Sequence, residues 1–226
     1  MKIGILQTGH APDEILPVLG DYDTMFQHLL NGQGFTFETY PVVDGVFPEN
    51  AKAADGWLIT GSKHGAYEEL LWIRQLEDLI VDIVQANRPL VGICFGHQLI
   101  AQALGGKVEK FAGGWAVGPQ TYDFGGQSIA LNAWHQDQVT ELPEGATVIA
   151  SNDFCANAAV VYGDRALTIQ AHPEYGPDVI EGLIAYRGRG NVPDPLLDEA
   201  AEKLDDPIAS STIADQMADF FRKERA

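Results

Sequence analysis

An apolar run that ends in a cysteine between two glycines is the feature that most constrains this fold. The run from Pro89 to Ile93 reads PLVGI and has no polar position, as in a strand whose two faces are both covered in a parallel sheet. Cys94 follows at once, and a helical pattern begins at Gly96. So sharp a strand-to-helix turn requires very small neighbours, here Gly92 and Gly96. This pattern predicts a nucleophile elbow with cysteine in the place of serine.

The elbow would also activate the cysteine. A helix N-terminus favours the thiolate over the thiol, and the thiolate is the nucleophile. The backbone N–H of Phe95 would point toward a developing oxyanion. The alternative is a buried structural cysteine on a core strand, which is a common environment for a free thiol.

The first 105 residues alternate between strand and helix patterns, which predicts parallel βα units. Apolar runs predict strands, and an apolar period of three to four residues predicts helices. The predicted strands are 2–7, 35–40, 56–60 and 89–93, and the predicted helices are 24–30, 70–85 and 96–104. The amphipathic segment 70–85 could cover the sheet or serve a dimer.

The rhythm of the sequence changes after residue 107. Short apolar runs (TYDF, SIAL, TVIA, AVVY and LTIQ) are separated by Gly, Asn and Asp, and they predict antiparallel strands or hairpins. Helices are predicted again at 177–189, near 195–204 and from 207 onward, with the acidic stretch 194–206 as a solvated helix face. With no repeat and no long linker, we expect an α/β fold in one domain spanning residues 1–226.

Charge and cysteine content exclude several classes of function. The chain has 226 residues with 32 acidic and 14 basic side chains, a formal net charge of −18. This argues against nucleic acid and anionic membranes as partners, because both require a basic patch. The two cysteines exclude a disulfide-dense secreted scaffold and a four-cysteine zinc site. No signal peptide or spanning helix is expected, so the cytoplasm is the expected compartment.

A cysteine nucleophile needs a base, and His172 is the best candidate. It follows a predicted strand, Pro173 stiffens the turn after it, and Glu174 comes two residues later. That spacing lets the carboxylate orient the imidazole and stabilise its charged form. Taken separately, His172 could be a surface histidine at a strand end and Glu174 a solvated acid. Together with the cysteine elbow they predict a Cys-His-Glu triad.

The motifs GICFGHQ (92–98) and QAHPEY (170–175) resemble the two signatures of class I glutamine amidotransferases. The segments LITGS (58–62), LGGKV (104–108) and WHQDQV (134–139) are similar to further segments of that family. The resemblance spans nearly the whole chain, and its nearest form is the stand-alone GMP synthase-like group that includes γ-glutamyl peptidases. It implies a flavodoxin-like, mostly parallel sheet with helices on both faces.

The resemblance also assigns roles to single residues. It implies that Cys94 is the nucleophile, that His172 is the base and then the acid, and that Glu174 orients His172. The oxyanion hole would combine the Phe95 N–H with an N–H of Gly61 or Ser62. The substrate's α-amino acid end would be held by Gln98 and, through the backbone, by Gly114 and Trp115.

Several conspicuous residues receive no chemical role from the sequence. His97 matches the family motif without an assigned function, His135 is expected to be structural, and Cys155 lies among Asn and Asp with no elbow. The glycine pairs lack the context of a phosphate loop and indicate turns. We therefore expect no cofactor and no metal.

The expected activity is hydrolysis of the γ-amide of glutamine or of a γ-glutamyl compound. About fifty residues follow Glu174 without a nucleotide-binding motif, so amide synthesis would need a separate ATP-dependent synthetase chain. The alternatives are a free-standing γ-glutamyl hydrolase and a non-catalytic module that kept the fold. An α/β-hydrolase would place its acid before the histidine. A PfpI-type cysteine hydrolase would place its acid elsewhere.

Overall fold

In the computed structural model, which describes residues 1–225, the apolar runs form strands and the amphipathic segments form helices. The strands are β1 (Lys2–Leu6), β2 (Thr36–Tyr40), β3 (Gly56–Ile59), β4 (Leu90–Ile93), β5 (Lys107–Lys110), β6 (Ala116–Phe124), β7 (Gln127–His135), β8 (Asp137–Glu141), β9 (Ala146–Ala150), β10 (Ala159–Tyr162) and β11 (Ala166–Ile169). The helices are α1 (Leu16–Leu19), α2 (Tyr22–Leu29), α3 (Leu71–Gln85), α4 (Phe95–Ala103), α5 (Pro177–Leu183), α6 (Asp194–Glu202) and α7 (Ser210–Arg222). A 3-10 turn spans Val42–Asp44 and a π-helical turn spans Ile184–Gly188.

The main sheet has seven strands in the order β2-β1-β3-β4-β11-β10-β9. The five strands from β2 to β11 are mutually parallel, and β10 and β9 continue the sheet antiparallel. Strand β4 lies in the middle, where all four of its residues are buried. This confirms the α/β class with a mostly parallel sheet, and it places the carboxyl end of β4 at the centre of one sheet edge.

One strand prediction was confirmed but covered only one of the strand's two neighbours. The run LTIQ was predicted to be antiparallel or part of a hairpin, and β11 does pair antiparallel with β10. On its other side β11 pairs parallel with β4, with Ile169 beside Ile93, and the sequence did not predict this pairing. Four consecutive buried residues give no sign of strand direction, because both faces are covered whichever way the strand runs. The consequence is functional, since the carboxyl ends of β4 and β11 then meet at one edge.

Helices cover both faces of the sheet. On one face, α2 and α7 bury Phe26, Met217 and Phe221 against β1, β4 and β11. On the other face, α3 and α4 bury Ile80 and Leu99 against β1, β3 and β4. The amphipathic helix over 70–85 therefore covers the sheet, the first of its two predicted roles.

The remaining elements lie around the carboxyl edge of the sheet. Strands β6 and β7 form a long hairpin, β5 pairs with β8, and α5 and α6 pack with the base of that hairpin in a third apolar cluster.

The acidic face of α6 is exposed while Leu197 and Ala200 are buried, as predicted for a solvated helix face. The predicted helix 177–189 is interrupted, because its second half is the π-helical turn. No helix between residues 1 and 225 is long and apolar enough to cross a membrane.

Candidate active site

Cys94 lies at the turn between β4 and α4 in a backbone conformation that L-residues rarely adopt. Its φ is 52° and its ψ is −102°, so the side chain is presented at the end of the strand. A Cβ on Gly92 would lie 2.6 Å from the Gly96 carbonyl oxygen, and one on Gly96 would lie 2.5 Å from the Ile59 carbonyl oxygen. Both contacts are with backbone, which cannot move aside. The two glycines are therefore steric requirements of the elbow, as the sequence predicted.

The structure brings His172 and Glu174 to this turn. His172 follows β11 and lines the same cavity as Cys94, close enough for Cys94 to be one of the groups that raise its pKa. Its Nδ1 lies 2.7 Å from Glu174 Oε1, and both side chains are almost completely buried, with 3% and 1% exposed. The order Cys, His, carboxylate is that of a nucleophile, its base and the group that orients the base.

The environment of His172 favours the charged imidazolium. Burial lowers the pKa of His172, but the negative charges of Glu174 and of the Cys94 thiolate, with the hydrogen bond to Glu174, raise it by more. The net pKa is above that of an ordinary histidine. The protonated ring therefore lies beside Glu174 and close to Cys94, the predicted nucleophile.

Two residues that sequence reasoning missed hold His172 in place. The ring of Tyr175 stacks on the imidazole with centroids 3.9 Å apart and planes at 3°. The backbone carbonyl of Asn132, on β7, accepts the His172 backbone N–H at 2.8 Å, and the Asn132 side-chain amide donates to the Tyr175 carbonyl at 2.9 Å. The tyrosine was visible in the QAHPEY motif, whereas no local pattern marks Asn132.

The loop that follows β3, the neighbour of β4 on the side away from β11, contains Gly61 and Ser62. A Cβ on Gly61 would lie 2.9 Å from His172 Cε1 and 3.7 Å from the Cys94 Cβ, so only glycine fits there. The Thr8 and Thr60 hydroxyls donate to the Gly61 carbonyl at 2.9 and 3.1 Å. Because a trans peptide points its N–H away from its C=O, the Ser62 N–H points away from these threonines. Phe95 is the first residue of α4, so its N–H has no partner within the helix.

A cavity of about 580 Å³ opens above Cys94 and His172. Of the predicted substrate-binding residues, Gln98 and Trp115 line it and Gly114 does not. The Gln98 side-chain nitrogen donates to the Asp137 carbonyl at 2.8 Å and to Gln170 Oε1 at 3.2 Å. Those bonds tie α4 to β8 and to the end of β11, and they leave the side-chain oxygen as the atom of Gln98 that is free for a ligand.

Two further histidines are buried near the site and stay neutral. Burial lowers the pKa of both His97 and His135 to about 3, and a nearby histidine adds to the effect in each case. His97 Nδ1 lies 2.8 Å from the Thr168 hydroxyl, beneath α4. His135 lines the cavity, with its Nδ1 3.3 Å from the Asp137 carbonyl oxygen. Neither contacts a carboxylate.

The second cysteine has a different environment. Cys155 is buried, and burial raises its pKa to about 12, which favours the unreactive thiol. Among residues 1–225, no group of three His, Cys, Asp or Glu side chains is placed to hold a metal ion.

The fold and the site together define a class of α/β protein with a strained cysteine at the end of a central strand and a His-Glu pair beside it. The family described as glutamine amidotransferase class-I matches residues 22–182. The chain therefore belongs to the class I glutamine amidotransferases, and it is an enzyme of that type.

Individual relatives agree with this assignment. Gamma-glutamyl peptidase 4 of Arabidopsis thaliana is 37% identical over 182 residues, which is 73% of this chain and 72% of the relative. A glutamine-hydrolyzing GMP synthase subunit from Methanopyrus kandleri is 34% identical over 129 residues, 48% of this chain and 66% of that one. A crystal structure of a glutamine amidotransferase from Methylobacillus flagellatus covers 98% of this chain and 91% of its own, with a TM-score of 0.76 at 22% identity, and so agrees in fold.

Proposed function

We propose that this protein hydrolyses the γ-amide bond of glutamine or of γ-glutamyl compounds through a thioester on Cys94. The observation that carries the proposal is the strained Cys94 turn, which lines one cavity with His172, while Glu174 holds the His172 imidazole from behind at 2.7 Å. The names of the Arabidopsis and Methanopyrus relatives support the substrate class.

In the first step the Cys94 thiolate attacks the γ-carbonyl carbon. A C–S bond forms, and the carbonyl electrons move onto oxygen in a tetrahedral intermediate. The intermediate collapses as His172 gives its proton to the leaving nitrogen and the C–N bond breaks. Ammonia or an amine departs, and a γ-glutamyl thioester stays on Cys94. The raised pKa of His172 keeps that proton on the ring until the nitrogen needs it.

In the second step water replaces the amine. His172, now neutral, takes a proton from a water molecule that attacks the thioester carbonyl. The C–S bond breaks, glutamate is released, and Cys94 returns as the thiolate beside the imidazolium. Glu174 holds Nδ1 throughout, so that the same ring nitrogen serves both steps.

For the oxyanion we propose the N–H groups of Phe95 and Ser62. Ser62 lines the cavity, and its N–H points away from the two threonines that hold the Gly61 carbonyl. Gly61 would instead provide the space for His172. The side-chain oxygen of Gln98 and the Trp115 wall would position the α-amino acid end of the substrate, with Gly114 shaping the loop that carries Trp115.

We further propose that residues 1–226 act as one domain in the cytoplasm, where a reducing environment keeps Cys94 a free thiol. The second candidate function is that of an amidotransferase subunit that works with a separate ATP-dependent synthetase. The similarity to one subunit of GMP synthase favours it. The free-standing hydrolase is the preferred form, because the γ-glutamyl peptidase match covers more of this chain.

The test is a panel of γ-glutamyl compounds, including glutamine, assayed for release of glutamate. The wild type is expected to hydrolyse members of the panel, Cys94→Ala to lose the activity, and the matched control Cys155→Ala to keep it. Undiminished hydrolysis by Cys94→Ala would overturn the mechanism. Turnover that appears only when a synthetase is added would favour the amidotransferase component over the free-standing enzyme.

A further inference from the structure

The direction of proton transfer fixes which side of the cavity faces the leaving group. His172 must reach the leaving nitrogen, so whatever is attached to that nitrogen extends along the wall beside the imidazole. That wall is aromatic. Tyr175 stacks on His172, and the centroid of the Tyr22 ring lies 6.0 Å from that of Tyr175.

Arg187 lies at the end of this wall. Its Nη1 donates to the Tyr22 hydroxyl at 3.4 Å and its Nη2 donates to the His10 carbonyl at 2.8 Å. The side chain is half-buried and lines the same cavity as Cys94. Its guanidinium is held in place by two neutral oxygens, while its other N–H groups are free for a ligand.

No carboxylate of the described residues lies within salt-bridge distance of Arg187. This is informative in a chain of net charge −18, in which the neighbouring Arg189 pairs with both Asp194 and Asp198. A planar, always-charged fork without an acidic partner is suited to bind a carboxylate.

The local backbone also points to function at this position. Arg187 and the exposed Tyr186 belong to the π-helical turn Ile184–Gly188, and both line the cavity. Turns of this kind are rare and are found often at functional sites. Here the turn directs two consecutive large side chains to the cavity wall.

We propose that Arg187 binds a carboxylate carried by the leaving amine, so that the substrates are γ-glutamyl amino acids or short peptides with a free C-terminal carboxylate. The ring centroids of His172, Tyr175 and Tyr22 follow one another at 3.9 and 6.0 Å. Since an extended residue spans about 3.5 Å, a leaving group of two amino acids extends along most of this wall toward the guanidinium, and one of a single amino acid extends less far. Ammonia, the leaving group of glutamine, would leave this part of the cavity empty. This inference rests on the proposed function, which it narrows to one substrate class.

The test compares γ-glutamyl-alanine and γ-glutamyl-alanyl-alanine with their C-terminal amides, which differ only in the charge at the far end. The wild type is expected to favour at least one carboxylate over its amide in kcat/KM by about tenfold to a hundredfold, the usual range for a hydrogen bond to a charged group. In Arg187→Gln the ratio of the two kcat/KM values is expected to fall to about one. In Arg187→Lys it is expected to recover part of the wild-type value. Arg189→Gln, two residues away and outside the cavity, is the matched control and should keep the ratio.

The ratio is independent of how much protein is folded, since both substrates are assayed on one preparation. An unchanged ratio in Arg187→Gln would overturn the inference, and so would a wild-type ratio near one. Equal losses on all substrates, including glutamine, would assign Arg187 to the glutamyl end or to the fold and would also overturn it. A wild type that hydrolyses none of these compounds would instead refute the proposed function.

Discussion

Two neighbouring regions of this protein bury histidines, and they shift the histidine pKa in opposite directions. At the carboxyl edge of the sheet, His172 is buried between Glu174 and Cys94 and its pKa is raised. His97, on α4, and His135, at the end of β7 beside the cavity, are equally buried. The pKa of each is lowered to about 3.

The partners account for the difference. Burial alone penalises the charged form and lowers the pKa of a histidine. His97 meets a hydroxyl and His135 a carbonyl, which are neutral partners and do not offset that penalty. His172 meets a carboxylate at 2.7 Å, which does. The pKa of His172 therefore depends most on Glu174, with a further contribution from Cys94, and changing Glu174 should reduce the contrast between the two regions.

The largest effect is expected for Glu174→Gln, which removes the charge and keeps the shape. Without the carboxylate, the pKa of His172 should fall and the amide would no longer fix the ring. We expect kcat to fall by about a thousandfold to ten-thousandfold, as in other triads that lose their acid. Steady-state kinetics measures the loss, and NMR titration of the imidazole measures the pKa.

The sign of the accompanying stability change is defined. A pKa raised on folding adds stability that is fully present below the unfolded value near 6.5 and is lost as pH rises through the folded value. The wild type should therefore lose this contribution at alkaline pH. In Glu174→Gln, where the carboxylate no longer raises the pKa of His172, the contribution should be smaller over the whole of that pH range. The control is Glu181→Gln, an exposed acid on α5. A Glu174→Gln variant with wild-type kcat and an unchanged imidazole titration would contradict the account.

An intermediate effect is expected at Tyr175, which stacks on His172 at 3.9 Å. Tyr175→Phe keeps the ring and removes only the buried hydroxyl, so it should cost at most about 1 kcal/mol in unfolding free energy and change kcat little. Tyr175→Leu removes the flat surface and lets the imidazole tilt, so kcat should fall by about tenfold. Chemical denaturation and kinetics on the same samples separate the two effects. Equal kcat values for the Phe and Leu variants would exclude a positioning role for the stack.

The smallest effect on catalysis is expected at His97, where the effect is on acid stability instead. Between pH 6.5 and about 3 the unfolded chain binds a proton that folded His97 does not. The unfolding free energy should then fall, as pH decreases, by up to about 1.4 kcal/mol per pH unit for each such histidine.

His97→Gln should make the acid part of the stability profile shallower, and the exposed His28→Gln should leave it unchanged. Denaturant unfolding at a series of pH values measures both slopes. Identical slopes in the wild type and His97→Gln would show that His97 does not stay neutral in the folded state.

The geometry of the elbow and the covered sheet could be predicted from short stretches of sequence. The GICFGHQ segment contains the end of the strand, Cys94, both steric glycines and the start of the helix, so the turn is encoded within a few residues. The same holds for His172 and Glu174, which are two residues apart. Helix α3 was predicted to within one residue because its apolar period is a local property.

The way in which distant segments meet could not be predicted in this manner and depends on the folded chain. The direction of β11, the Asn132 bond to the His172 loop and the alignment of Arg187 with the two tyrosines each join parts of the chain that are far apart in sequence. The charge states of the three histidines belong here as well, because each depends on burial and on a partner that the fold supplies. Sequence pattern and spacing report the local structural preference of a segment. The pairing of β11, the contacts of Asn132 and Arg187 and the histidine charge states arise instead from packing, because each depends on residues that are neighbours in space but not in sequence.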